Sequence, residues 1–186
     1  MLALDHVEDV LQKFIINLIS KINPMIRPAI PEDAQSIIHI YNHYVANSHA
    51  TFEVSPVAVD EMVERIHKVQ QEFKLPWLVL EIENKIVGYA YATQWKARVA
   101  YAKTTETSIY LQKDQGGKGY GMLLYSQLMN QLRTLGYHAI IGGMSLPNEA
   151  SRVLHEKLGF KKIGEFKEVG HKFDRWIDVG YWELVL

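Results

Sequence analysis

The chain has no cysteine in its 186 residues. That excludes disulfides, thiolate nucleophiles and cysteine-bound metals, and it fits a reducing cytoplasm. It also lacks charge of one dominant sign: 20 lysines and arginines against 21 aspartates and glutamates leave a net charge of −1. No stretch is basic enough to attract nucleic acid. Long apolar runs are missing too. Asp5, His6, Glu8, Asp9, Gln12, Lys13 and Asn17 interrupt Leu2–Ile22, whereas a membrane span needs about 20 mainly apolar residues. The segment starts acidic, where a secretory signal would start basic. His43, His155 and His171 fall on different elements, and His155-Glu156 has no second histidine at metal-binding spacing; no metal site is expected. Repeats and low-complexity segments are absent.

What is present is a chain of single-domain length with an apolar content that can build a core. Val7, Val10, Leu11, Phe14, Leu18, Ile19 and Ile22 recur at helical spacing, and Asn23-Pro24 ends the pattern. Residues 1–24 are therefore expected to form an amphipathic helical extension, and residues 25–186 one domain. Met25–Ala29 reads as a short strand, Pro31-Glu32-Asp33 as the start of a helix carried by Ile37, Ile38, Tyr41 and Val45. Ser55-Pro56 opens a second helix, through Val59, Met62, Val63, Ile66 and Val69. Two strands follow, 77–83 and 86–93, joined at Glu83-Asn84-Lys85. A polar, irregular stretch precedes a strand at Thr105–Leu111, then a glycine-rich loop and a helix with Leu123, Leu124, Leu128 and Leu132, capped by Gly136. The remainder reads as a strand over 138–144, a helix over 149–158 ended by Gly159, and two closing strands, 160–169 and 176–186. The order predicts an α/β (α+β) domain, a mixed, strongly twisted sheet flanked by helices.

The glycine-rich loop, Gly116-Gly117-Lys118-Gly119-Tyr120-Gly121, follows a strand and opens a helix. A helix start leaves N–H groups unpaired and carries partial positive charge, and glycine lets a phosphate approach the backbone. No Ser or Thr follows a Gly-Lys pair, which excludes a P-loop; Leu124 stands where a dinucleotide fingerprint needs glycine. An anion site of another kind and a ligand-free turn both fit the loop taken alone.

The loop resembles the acetyl-coenzyme A (acetyl-CoA) loop of the GNAT superfamily of N-acetyltransferases, Gln/Arg-x-x-Gly-x-Gly/Ala. Gly119 and Gly121 match its later positions; Gly116 stands where Gln or Arg is usual, and Gln115 lies one residue early. Downstream, Leu146-Pro147-Asn148-Glu149-Ala150-Ser151 and His155-Glu156-Lys157-Leu158-Gly159-Phe160 resemble the family's second coenzyme-side segment. The resemblance runs from about Met25 to the C-terminus and implies the GNAT fold. It implies acetyl-CoA as co-substrate, held by Ile109, Tyr110, Leu111, Gly117, Lys118, Gly119, Tyr120, Gly121, Met122, Asn148 and Lys157, with an oxyanion donor among the 109–111 amides. Direct attack in a ternary complex is the expected route.

Trp95-Lys96-Ala97-Arg98-Val99-Ala100-Tyr101 carries the substrate signal. If the segment is extended, Lys96 and Arg98 share a face, with Tyr101 near, and two cations with a phenol suit a small anion such as a carboxylate or phosphinate. A solvated charged loop is the other reading. Trp-Lys-Ala-Arg, Tyr101, Thr105-Glu106-Thr107-Ser108, Tyr41-Asn42-His43-Tyr44, Thr51-Phe52 and Trp176–Trp182 resemble the phosphinothricin and methionine sulfoximine acetyltransferases. That resemblance implies Lys96, Arg98 and Tyr101 as acid-binding residues, Phe52 as a pocket wall, Glu106 as general base and a homodimer. His171 falls in a segment resembling that subfamily's active-site loop; it is a candidate second proton shuttle or a surface histidine. An acceptor of another type, such as a protein N-terminus, lysine or polyamine, and a non-catalytic coenzyme-binding module are the alternatives; a polyamine site would want acidic residues instead of Lys96 and Arg98.

Overall fold

The computed structural model describes residues 24–186; the expected N-terminal helix lies outside the described residues. Strand β1 (Met25–Pro28) is followed by a 3-10 turn, Pro31–Asp33, and helix α1 (Ala34–Asn47). Ala34, Ile37, Ile40, Tyr41 and Val45 are buried, so the helical spacing read from the sequence is the face that packs. Asp33 fixes the entry to α1: it is buried, bonds Arg27 at 2.7 and 2.9 Å and accepts the Ile30 N–H at 2.9 Å. Helix α2 (Val59–His67) starts later than Ser55-Pro56 suggested and runs into a π turn, Lys68–Glu72. The loop before α2 is held by Asn42, whose side chain exchanges two hydrogen bonds with the Val57 backbone, each 2.9 Å.

Strands β2 (Trp77–Ile82), β3 (Lys85–Gln94), β4 (Thr104–Leu111), β5 (Ala139–Ser145), β6 (Lys161–Lys172) and β7 (Arg175–Val185) complete a seven-stranded sheet in the order β1-β2-β3-β4-β5-β7-β6. Helix α3 (Tyr120–Thr134) connects β4 to β5, and α4 (Glu149–Lys157) connects β5 to β6. Only β4 and β5 are parallel; the other neighbours are antiparallel. This is the mixed, helix-flanked sheet expected. Alternation along the strands separates two faces. Trp77, Tyr89, Tyr91 and Tyr110 form an aromatic wall that meets Tyr41 and Tyr44 of α1. The opposite face carries Leu78, Ala90 and Ala92 with buried Leu124, Tyr125, Leu128 and Leu132 of α3.

The β6–β7 hairpin departs from expectation. β6 runs to Lys172, and a two-residue turn, Phe173-Asp174, leads straight into β7. Both turn residues have positive φ (54° and 55°). Tight hairpin turns demand this, and Asn-Gly usually signals it; phenylalanine at such a position hides the turn from sequence reasoning. His171 is therefore not in a loop. It is an exposed strand residue paired with Trp176, ring centroids 4.7 Å apart.

Candidate active site

β4 and β5 pair at three positions only, ending with Glu106 opposite Ile141. Both strands then continue, β4 held by β3 and β5 by β7, so they part. The Gln112 N–H bonds Val87 O at 2.8 Å. By alternation the N–H groups of 111, 109 and 107 face away from β3, into the gap. A cleft of about 640 Å³ lies there, walled by β4 residues 107–111, the glycine loop, the end of β5 and α4.

The glycine loop closes one end of the cleft. Gly119 is the N-cap of α3 with φ 82°, a left-handed conformation that favours glycine, and no side chain caps the helix. The first intrahelical bond is Leu123 N–H to Gly119 O, 3.1 Å, which leaves the N–H groups of 119–122 open. Gly117, Gly119, Gly121 and Met122 line the cleft, as do Ile109, Tyr110, Leu111, Asn148 and Lys157. Lys118 and Tyr120 do not: the Lys118 ammonium donates to Gln115 Oε1 at 3.0 Å, and Tyr120 packs on the core. Asn148 also caps α4, accepting from Ser151 N–H at 3.2 Å.

Glu106 occupies the point where the strands part. It is partly buried, and burial raises its carboxyl above the ordinary glutamate range. Among the described residues its carboxylate has no hydrogen-bond or ion-pair partner. Two consecutive glycines on β5, which the sequence reading passed over, make the room. A Cβ on Gly143 would lie 3.2 Å from Glu106 Oε1 and 3.1 Å from the Tyr181 ring; one on Gly142, facing the other way, would lie 2.4 Å from His155 Nε2. Glycines inside a strand mark close approach, and that signal was present in the sequence.

His155 was also missed as a cleft residue. Its Nδ1 lies 2.8 Å from Ser151 O, an acceptor, so Nδ1 carries the proton. Nε2 then accepts from the Tyr125 hydroxyl at 3.0 Å, and Thr107 Oγ1 meets that hydroxyl at 2.6 Å. Burial lowers the His155 pKa, consistent with a neutral ring. His49 lines the cleft from the α1–α2 loop, Nδ1 2.9 Å from Ser145 Oγ, and the Tyr44 hydroxyl donates to Leu111 O at 2.7 Å.

On the Glu106 side, the Tyr181 ring meets Trp95 edge-on at 6.1 Å, and Lys96 Nζ lies 5.3 Å from the Trp95 ring and 5.6 Å from that of Tyr101. Tyr181, Trp95, Lys96 and Tyr101 thus form one connected group, and Glu106 and Tyr181 both approach Gly143. The segment is not extended: it bends at 95–98 and turns through a 3-10 helix, Val99–Tyr101, so the alternation argument for a shared Lys96–Arg98 face does not hold. Arg98 is exposed at the head of that turn and makes no side-chain bond among the described residues. Phe52, 40% exposed, has its ring on Gly170 of β6, where a Cβ would come within 2.2 Å of Cε1. Among the described residues no cluster of His, Asp and Glu could hold a metal, and no helix is long and apolar enough to cross a membrane.

A helix start with open amides, beside strand amides turned into a gap, fits a phosphate-bearing thioester laid along β4. The comparisons name the class. Residues 26–180 match the family described as acetyltransferase (GNAT) domain. The chain belongs to that family and is an acetyl-CoA-dependent N-acetyltransferase. It is 35% identical to a phosphinothricin N-acetyltransferase of Streptomyces viridochromogenes over 85% of both chains. It is 34% identical to an L-methionine sulfoximine/L-methionine sulfone acetyltransferase of Salmonella typhimurium, over 87% of this chain and 94% of that one. The structure of a phosphinothricin acetyltransferase from Sinorhizobium meliloti in complex with acetyl-CoA superposes with a TM-score of 0.84 at 34% identity, covering 88% of each chain.

Two predictions follow from this geometry. The space beside Gly119 is open, so Gly119→Val acts through its left-handed backbone and the amides it aims. The variant should fold and should bind acetyl-CoA about ten-fold or more weakly by calorimetry, since one charge-assisted bond is worth about 1.5–3 kcal/mol. Glu106 binds its proton more tightly folded than unfolded, so it contributes stability below its unfolded pKa that is lost as pH rises through the raised folded one. Glu106→Gln should therefore melt higher than the parent at pH 7, with the gap closing towards pH 4 in thermal scans.

Proposed function

We propose that the acceptor is the α-amine of a small acidic amino acid or analogue of the phosphinothricin, methionine sulfoximine or methionine sulfone type, and that Glu106 is the general base. The observation that carries this is the half-buried Glu106 carboxylate, unpartnered among the described residues, at the parting of β4 and β5, against Gly143 and one strand position from the cleft wall. An α-amine has a pKa of about 8, so at neutral pH most of it is ammonium and cannot attack a thioester. Glu106 takes that proton, directly or through a water; its raised pKa brings it closer to the amine's, which favours transfer. Acetyl-CoA supplies the activated acyl group. The N–H groups of 109 and 111 that face the gap are placed to donate to the carbonyl oxygen as it gains charge. Lys96, its ammonium over the Trp95 and Tyr101 rings, and Arg98 provide cations for the acid group, and Phe52 walls the pocket. The chain works in the cytoplasm, where its coenzyme is made, with residues 1–24 as an extension to the catalytic domain.

The roles separate in kinetics. Glu106→Gln should lower turnover by roughly 10²-fold or more at neutral pH and recover part of it at high pH. Arg98→Ala should raise the Michaelis constant for acidic amino acids far more than for amines lacking the acid group, and Lys96→Ala should do so less strongly. The assay is thiol release from acetyl-CoA over a panel of amino acids, polyamines and peptides. Equal loss on acidic and neutral amines would reject the acid pocket, normal turnover in Glu106→Gln would reject the base, and preference for polyamines or peptides would reassign the acceptor.

A second copy of the chain is the proposed partner. Ile163, Phe166, Val169, Phe173 and Trp176 on the β6–β7 hairpin are each more than half exposed, an apolar run on an edge strand. Sedimentation at micromolar concentration should give a dimer, and Phe166→Glu with Trp176→Glu should give a monomer.

A further inference from the structure

Lys172 is the one lysine among the buried polar and charged residues described, 3% exposed, and the acetyl-transfer reading gives it no role. It closes β6, immediately before the tight Phe173-Asp174 turn, so its origin is fixed by the hairpin. Its ammonium donates to Ser48 O at 2.8 Å and Thr51 O at 2.9 Å, and lies 5.0 Å from the Phe173 ring centroid. The two carbonyls belong to a segment with neither helix nor strand structure, and they converge on one point. A lysine satisfies such a point well, being a compact charge with three donors that can rotate to their acceptors. Burial disfavours its charge and lowers its pKa; the negative charge of Glu53 opposes that.

The segment it holds has two working sides. Ser48, His49 and Ala50 line the coenzyme cleft. Phe52 projects the other way, onto Gly170. Other ties run to separate elements: Ser48 N–H to Tyr44 O on α1 at 3.0 Å, His49 to Ser145 on β5, Thr51 Oγ1 to the Tyr41 hydroxyl on α1 at 2.7 Å, and Glu53 to Arg65 on α2 at 2.6 Å. Among the described residues Lys172 is the side chain that holds two of the loop's backbone carbonyls, and it does so from the β6–β7 hairpin, 124 and 121 residues away in sequence. We propose that Lys172 is a positioning residue whose ammonium sets the 48–53 loop, and through it both the coenzyme-side wall and the placing of Phe52. It touches no reacting atom. It acts on binding, and the amine part of its effect rests on the proposed acceptor site.

The test uses Lys172→Met, which keeps the stem and removes the donors, and Lys172→Cys before and after alkylation with 2-bromoethylamine. The chain has no other cysteine, so alkylation in denaturant and refolding restores an ammonium at this position alone; the parent taken through the same steps is the control. Lys172→Met should exchange the 49–53 amides about ten-fold or more faster, raise the amine Michaelis constant about ten-fold and the acetyl-CoA dissociation constant about three-fold, and leave kcat within about two-fold. The cysteine variant should behave likewise, and aminoethylation should reverse the changes. A folded Lys172→Met with unchanged loop protection and Michaelis constants would overturn the proposal, as would a fall in kcat alone or a refolded aminoethyl protein that stays impaired. If Lys172→Met fails to fold, the two cysteine forms give the same comparison. If the parent acetylates no acidic amino acid while the variants still free the loop and weaken acetyl-CoA, the acceptor assignment fails and the positioning role stands.

Discussion

The parting of β4 and β5 after three paired positions is the constraint from which the site follows. Parallel neighbours need a crossover connection, and here the crossover is α3. Beyond Glu106 the strands are kept apart because each has another partner, β3 on one side and β7 on the other. Interrupting a sheet normally leaves backbone donors unsatisfied, which proteins avoid. Here the unsatisfied edge faces the cleft proposed to take acetyl-CoA, and the open first turn of α3 lies at its end. The same interruption that weakens the sheet supplies the amides that the proposed chemistry would use.

The two faces of the split do different work. Odd positions of β4 face α3, where Thr107 joins Tyr125 and His155 in a buried chain of hydrogen bonds that ends on the α4 backbone. Such a chain is costly if left incomplete and rigid when complete. Even positions face α1 and α2, where Glu106 stands next to an aromatic wall. Its partial burial is unfavourable to the ionised fold, yet it keeps the carboxylate free of a competing cation. Gly142 and Gly143 belong to both stories. Each gives up side-chain packing so that a ring or a carboxylate from the neighbouring element can come close.

The α1–α2 loop shows how an irregular segment becomes precise. Arg65 and the Tyr41 hydroxyl both meet Glu53, with Arg65 at 2.6 Å, and burial with that neighbouring charge pushes the Tyr41 phenol up to about 12. Tyr41 also holds Thr51, and Lys172 holds the Ser48 and Thr51 carbonyls. These contacts come from α1, α2 and β6, so the loop inherits the rigidity of three elements without having regular structure.

Much of this was legible in the chain itself. Apolar residues at helical spacing gave α1, α2 and α3; the Gly119 and Gly121 pattern and the Asn148 and Lys157 segment resembled the family's coenzyme side; Glu106 was singled out by the resemblance its neighbours Thr105, Thr107 and Ser108 carry. These are local signals, carried by residues close together in sequence. What sequence did not convey depends on distant contacts or on backbone angles. Extension of 95–101 was a reasonable assumption for a two-residue spacing, but Lys96 closes against Trp95 and Tyr101 and the chain turns instead. The Phe173-Asp174 turn carries no glycine, so nothing announced the long hairpin that brings Lys172 to Ser48 and Thr51. Side-chain type and spacing determined the sheet-and-helix plan, and the resemblance of the glycine loop and the 146–160 segment to known motifs indicated the family. Tertiary structure alone decided where β4 and β5 part and which loop Lys172 holds, because pairing partners and buried charge are settled by what the rest of the fold places alongside.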